Sequence, residues 1–328
     1  MNTVPFDFCQ RVLATRKCCE SRFGECNCPK HLFAARKWNQ PKQIHISFHV
    51  GAVNGKWKYG FRNPKEPNKS PTMEELKRFP QLKNLQIGSI DVLEKHDVDG
   101  MLKHDVVDLE KLLNFVSFIA NEPWLNLRNV RDRVCSSPQW EAVLKWLAER
   151  WFSYVFVGIL SASNFPILEK QFSRRTPATI CVLNYGECAE VLERRLMSGD
   201  LRRFYTIGSS KFSSNVFQRI IRNFLEAPQS YAKDELDIRA CFEESAEKVM
   251  ETAVQTKVCS FEDFQRCEHV NVLCRYRFDK QAAVLIADKL SNGSWKLRTC
   301  EKGGWWDRSP SCWEAQCTAY RANLERIN

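Results

Sequence analysis

Hydrophobic positions recur along this chain with two periods, and the alternation between them is clearest from residue 139 to 242. Over QWEAVLKWLAERW, residues Trp140, Val143, Leu144, Leu147 and Trp151 fall on one stripe at helical spacing. Ser137 stands at the N-cap. Pro138 suits the first helical position, where its missing N–H would have no partner. The run YVFVGIL at 154–160 is too short and too β-branched for a further helix and predicts a strand. The pair then repeats: helix FPILEKQF and strand TICVL at 179–183, helix CAEVLERRLM and strand RFYTI at 203–207. Helix NVFQRIIRNFLEA leads past Pro228 to a last strand, LDIRACF. Successive runs begin roughly 25 to 30 residues apart, the range of one strand plus one helix in a leucine-rich type of repeat. Right-handed strand–helix–strand crossovers leave few other packings, so the strands of 139–261 are expected side by side in one parallel sheet.

The flanks add shorter elements. IHISFHVGAVNGKWKYGFRN alternates on both sides of Asn54-Gly55, a strong hairpin signal. Ile44, Ile46, Phe48 and Val50 share one strand face, and Trp57, Tyr59 and Phe61 another that is expected to be largely buried. His45 and His49 lie opposite the apolar set and read as exposed strand polars. Ser70-Pro71 opens a helix, TMEELKRF, which Pro80 stops. LKNLQIGSIDV reads as one leucine-rich strand and VVDLEKLLNFVSFIA as a helix ended by Asn121 and Pro123. Between them EKHDVDGMLKHD, with His96-Asp97 and His104-Asp105, reads as a solvated turn. After residue 242 come a helix EESAEKVMETAV, a strand KVCSF and a hairpin of HVNVLCRYRF with AAVLIAD. Beyond Asp288 the turn-rich KLSNG leaves the repeats. The expected class is α/β, with an N-terminal helix and β-hairpin followed by leucine-rich-repeat-like helix-strand units around a parallel sheet. The boundaries are 1–69 for the basic helix and hairpin region, 70–288 for the repeat domain and 289–328 for a poorly packed Trp/Cys-rich tail.

At 328 residues, 44% apolar and 27% charged, the chain has the composition of an ordinary globular protein. No run of 18 apolar residues offers a membrane span. The N-terminus carries Asp7 in its apolar part with no basic residue before it, a poor signal peptide, so a cytoplasmic or nuclear location is expected. Most of the fifteen scattered cysteines then read as reduced. Of the net charge of +10, residues 1–69 hold thirteen Lys/Arg against four Asp/Glu. Such an arm can meet nucleic acid or an acidic protein face, though a solvated basic surface is the plainer reading.

Cys18 or Cys19, Cys26, Cys28 and His31 are ligand types for a soft metal ion. They lack a C-x-x-C knuckle and a second half-site, so they read as unpaired loop cysteines and no metal is assigned. No phosphate-binding Gly-rich loop, dinucleotide fingerprint, nucleophile elbow or H-E-x-x-H occurs. No catalytic residue and no cofactor are assigned, and a binding protein is expected rather than an enzyme.

VPFDFCQRV at 4–12, the hairpin NGKWKYGF, FPQLKNLQIGSI, FIANEP and the helix-strand array together resemble a nematode-expanded family of F-box-like and F-box-associated proteins, over roughly residues 1–288. The resemblance implies a substrate adaptor. Its N-terminal helix, through Pro5, Phe6, Phe8, Val12 and Leu13, would meet the linker subunit of a cullin ubiquitin ligase, while the repeats select a target. The chain departs from the pattern at 18–40, where the Leu/Val-rich second half of an F-box is missing. In the tail, Cys300, Trp306, Pro310 and Cys312 resemble only the closing half of a sushi module.

Overall fold

The computed structural model describes residues 43–66, 68–80, 82–94, 100–128, 137–173, 178–206, 210–233, 236–263 and 272–302. The expected helix at 4–16 with Pro5, Phe6, Phe8, Val12 and Leu13 lies outside them. So do the cysteine cluster at 18–31, His96-Asp97 and the tail after residue 302.

The hairpin forms as its turn chemistry demands. Strands β1 (Ile44–Val53) and β2 (Lys56–Arg62) pair antiparallel across Asn54 and Gly55, both at positive φ (51° and 78°). The hairpin is not a separate body, because β1 also pairs parallel with β3 (Leu85–Glu94). Gly51 and Gly60 make close approaches possible. A Cβ would meet the Leu93 carbonyl oxygen at 2.1 Å in the first case and that of Met101 at 1.9 Å in the second. Of the three aromatics of β2, Phe61 is buried, whereas Trp57 and Tyr59 are half-buried against the core. Trp57 meets Trp140 edge-on at 4.9 Å.

Helix α1 (Met73–Lys77) starts in a capping box of Thr72 and Glu75. The two-residue strand β4 (His104–Asp105) pairs with β2. His104 is therefore not in a solvated turn. Its Nε2 lies 2.8 Å from the Ser70 carbonyl, and its ring packs at 5.4 Å from Tyr59. From here the strand and helix periods alternate. Helix α2 (Leu109–Ile119), capped by Asp108, runs into β5 (Ala120–Arg128). Next come α3 (Pro138–Ala148), β6 (Tyr154–Ile159), α4 (Phe165–Phe172), β7 (Thr179–Asn184), α5 (Ala189–Ser198) and β8 (Arg203–Thr206). The short β9 (Lys211–Phe212), α6 (Ser214–Glu226) and α7 (Pro228–Lys233) lead to β10 (Asp237–Phe242). Ser137 accepts the Trp140 N–H at 3.3 Å, so the cap and the N1 proline of α3 form where the sequence places them.

Strands β1, β3, β5, β6, β7, β8 and β10 are parallel neighbours within a 14-stranded sheet, which makes the fold a mixed α/β one with a largely parallel centre and eight α-helices among the described residues. From β3 to β10 these neighbours follow chain order, apart from β4 and β9. One set of alternate strand residues, such as Ile90, Leu125, Val155, Ile180, Phe204 and Ile238, joins the buried stripes of the helices in one apolar cluster. Buried amides tie the layers. Gln171 accepts the Phe152 N–H at 3.0 Å and donates to the Arg150 carbonyl at 2.8 Å, and Asn164 closes the turn after β6 in the same manner.

Two expectations are corrected at the C-terminal end. After α8 (Ser245–Gln255), strand β11 (Ser260–Asp263) does not extend the parallel series. It pairs antiparallel with β12 (Val272–Asp279) at the sheet edge. β12 forms the expected hairpin with β13 (Ala283–Leu290). The chain then does not leave the core at residue 288. Residues Trp295–Glu301 form β14, which lies between β10 and β13 and pairs with both. Trp295 and Leu297 are buried, Trp295 against Phe217 and Tyr276. A tail judged on its scattered tryptophans thus contains a strand whose alternate residues fill the core.

Candidate functional site

The residues that alternate with the core set point away from the helices, and strand register brings them into rows. Reading across β1, β3, β5, β6 and β7, one row is His49, Asp91, Asn126, Phe156 and Cys181. The neighbouring row is Ser47, Ser89, Trp124, Tyr154 and Thr179. No two of these neighbours are close in sequence. Pleating sends every second side chain to this face, and parallel pairing sets them edge to edge.

Polar groups gather at the β3 side. The Asn126 amide donates to Asp91 Oδ1 at 2.9 Å, and His49 Nδ1 lies 3.4 Å from Asp91 Oδ2. The Ser89 hydroxyl is 2.9 Å from that of Ser47 and 3.4 Å from Asp91 Oδ2. His49 is only 5% exposed, which corrects its reading as an exposed strand polar: the partner carboxylate comes from the next strand, 42 residues away in the register that sets His49 opposite Asp91. His45, by contrast, is exposed as expected.

Apolar groups gather at the β6 side. Trp124 is 58% exposed and Leu183 37%, both unusual for large apolar side chains. Trp124 and Tyr154 face each other at 5.9 Å between ring centres. The two halves line an open pocket of about 580 Å³ bounded by Ser89, Asp91, Trp124, Leu125, Asn126, Tyr154, Phe156, Gly158 and Leu183. That volume lies within the usual range for ligand pockets. Its lining sets aromatic walls beside a carboxylate and an amide.

Burial, with Cys181 beside it, pushes the Tyr154 hydroxyl up to about 12, and burial likewise raises the Cys181 thiol. Cys181 is thus held away from the thiolate form that nucleophilic chemistry needs. Among the described residues, no group of three or more His, Cys, Asp or Glu is placed to hold a metal ion, and no helix is long and apolar enough to cross a membrane.

Further along the same face the character changes. Tyr205 donates to Asp237, and Arg203, Arg239, Lys296 and Arg298 gather across β8, β10 and β14. Burial lowers the Lys296 ammonium, with Arg298 adding repulsion. Asp288 is 1% exposed and takes Arg275 at 2.7 and 3.2 Å and Arg298 at 3.0 Å.

Sequence reasoning singled out none of Asp91, Trp124, Asn126, Tyr154 or Phe156 as a site. The signal was present in WLNL at 124–127, where polar and apolar residues alternate, but Pro123 hid the strand. Comparison with family models, with curated proteins and with solved structures finds no match to this chain.

Proposed function

We propose that the protein is an interaction adaptor whose sheet face, free of helices among the described residues, receives a protein target. What supports this reading is the group of exposed or half-buried Trp124, Tyr154, Phe156 and Leu183 on parallel strands laid down in chain order. An arrangement of this leucine-rich-repeat-like kind offers a long, stiff surface suited to holding another polypeptide. Aromatic side chains carry the largest share of binding energy at such surfaces. The resemblance to F-box-associated proteins adds the second half of the reading: a substrate-recognition subunit, with Pro5, Phe6, Phe8, Val12 and Leu13 docking on the linker subunit of a cullin ubiquitin ligase.

The test separates the two halves. Proximity labelling and co-purification of the full chain are compared with Trp124→Ala, Phe156→Ala and deletion of residues 1–40. The adaptor reading expects the face variants to lose target proteins while keeping the linker subunit, and the deletion to do the reverse. A partner set unchanged by Trp124→Ala and Phe156→Ala would remove the sheet face from the account. Failure of the full chain to capture a cullin linker would remove the ligase.

A further inference from the structure

The cavity beside Asp91 has a chemistry more definite than that of a general docking face. Its polar side holds the Asp91 carboxylate with the Asn126 amide and the Ser89 hydroxyl beside it. Asp91 accepts from Asn126, and that amide's own Oδ1 is buried with no hydrogen-bond partner. Among the described residues, Asp91 has no lysine or arginine within ion-pair distance, and the His49 ring lies 3.4 Å from it. A carboxylate that lines the pocket with no lysine or arginine beside it favours a ligand that brings positively charged donors. Opposite them stand Trp124, Tyr154 and Phe156, whose ring faces attract cations and accept an alkyl stem. Apolar walls leading to a carboxylate match a long side chain that ends in a charge.

We infer that this cavity binds a lysine or arginine side chain of the partner polypeptide, with Asp91 as its counter-ion and Trp124 as the exposed aromatic wall. The inference rests on the reading of this face as a protein-binding surface and names the feature of the partner that it selects. The basic head enters between β3 and β6, and the partner's backbone runs over the strands.

Two measurements on the full chain test it. In the first, N-acetyl-arginine amide and its neutral isostere N-acetyl-citrulline amide are titrated while the indole N–H resonance of Trp124, assigned with Trp124→Phe, is followed by NMR. The arginine compound should shift that resonance saturably and bind roughly fivefold or more tighter than citrulline, a difference that Asp91→Asn abolishes. In the second, an array of random 15-residue peptides is probed with the wild-type chain and with Trp124→Ala, a variant of an exposed residue that leaves the fold in place. Spots lost in Trp124→Ala should be enriched in lysine and arginine. Equal binding of citrulline and arginine, or Trp124-dependent spots without basic residues, overturns the inference while the protein-binding reading of the face stands. Spots indifferent to Trp124→Ala, together with an unmoved indole resonance, overturn both.

Discussion

Asp91 and Asp288 project from the same face of the same sheet, yet their surroundings are opposite. Asp288 is enclosed: two arginines bring three charge-assisted hydrogen bonds to its oxygens, and β13 is buried on both faces from Ala283 to Asp288. Val284, Ile286 and Cys300 form a small apolar cluster of their own there, separate from the main core. Asp91 keeps an amide and a histidine for company, beside a cavity walled by aromatic rings. A carboxylate whose acceptor capacity is filled from within serves the fold. One with no lysine or arginine beside it among the described residues is left to interact with something outside it. Similar chemistry at two places on one surface therefore separates a structural end of the molecule from a receptive one.

The contrast can be broken most forcefully at the closed end. Truncation after Asp288 removes β14 from between β10 and β13 and takes Trp295 and Leu297 from the core. The expected result is loss of a cooperative unfolding transition in circular dichroism. A truncated chain that melts cooperatively would make the closed end dispensable. Next in size, Asp288→Ala strands two guanidiniums in a buried site and should cost about 3–5 kcal/mol in urea unfolding. A cost below about 1 kcal/mol would show that the arginines find water or other partners.

At the open end the same measurements should barely respond. Asp91→Asn and Trp124→Ala are each expected to stay within about 1 kcal/mol of wild type, because neither leaves a buried charge unpaired. A loss of several kcal/mol would make Asp91 as structural as Asp288. The smallest effect concerns pH. Tyr154 is neutral in the fold and titrates at about 12, above the usual value near 10. Its contribution to stability is complete below pH 10 and is lost as pH rises towards 12. Tyr154→Phe should flatten that part of the stability profile, and an unchanged slope would place the phenol in water.

How far the sequence speaks for itself follows the same division. The helix and strand periods from α3 to β10 are plain, because each amphipathic stripe meets the core with one face. Strand β5 is obscured by Pro123 and by Glu122, which takes a positive φ of 46° in an irregular stretch of the pairing. Strand β14 is obscured by composition, since WKLRTCE alternates correctly but sits among tryptophans and cysteines that look like a tail. The site is harder still to foresee. Asp91 and Asn126 are 35 residues apart, and only the register of β3 against β5 sets them opposite each other. Periodicity reports which face a residue takes, but not its neighbour across the strands.

The position of β14 also has a consequence in time. During synthesis β10 emerges early enough to join β8, but the strand that fills its other edge ends only at Glu301, about 60 residues later. At typical rates of elongation that interval lasts roughly 3–10 s, during which a strand edge and the buried positions around Phe217 have no cover from Trp295. Slow synonymous codons within 243–294 would lengthen the exposure without altering a single contact of the finished protein. The yield of folded chains should therefore respond to changes in that interval more than native stability does, and chaperone capture should concentrate on ribosomes paused within it.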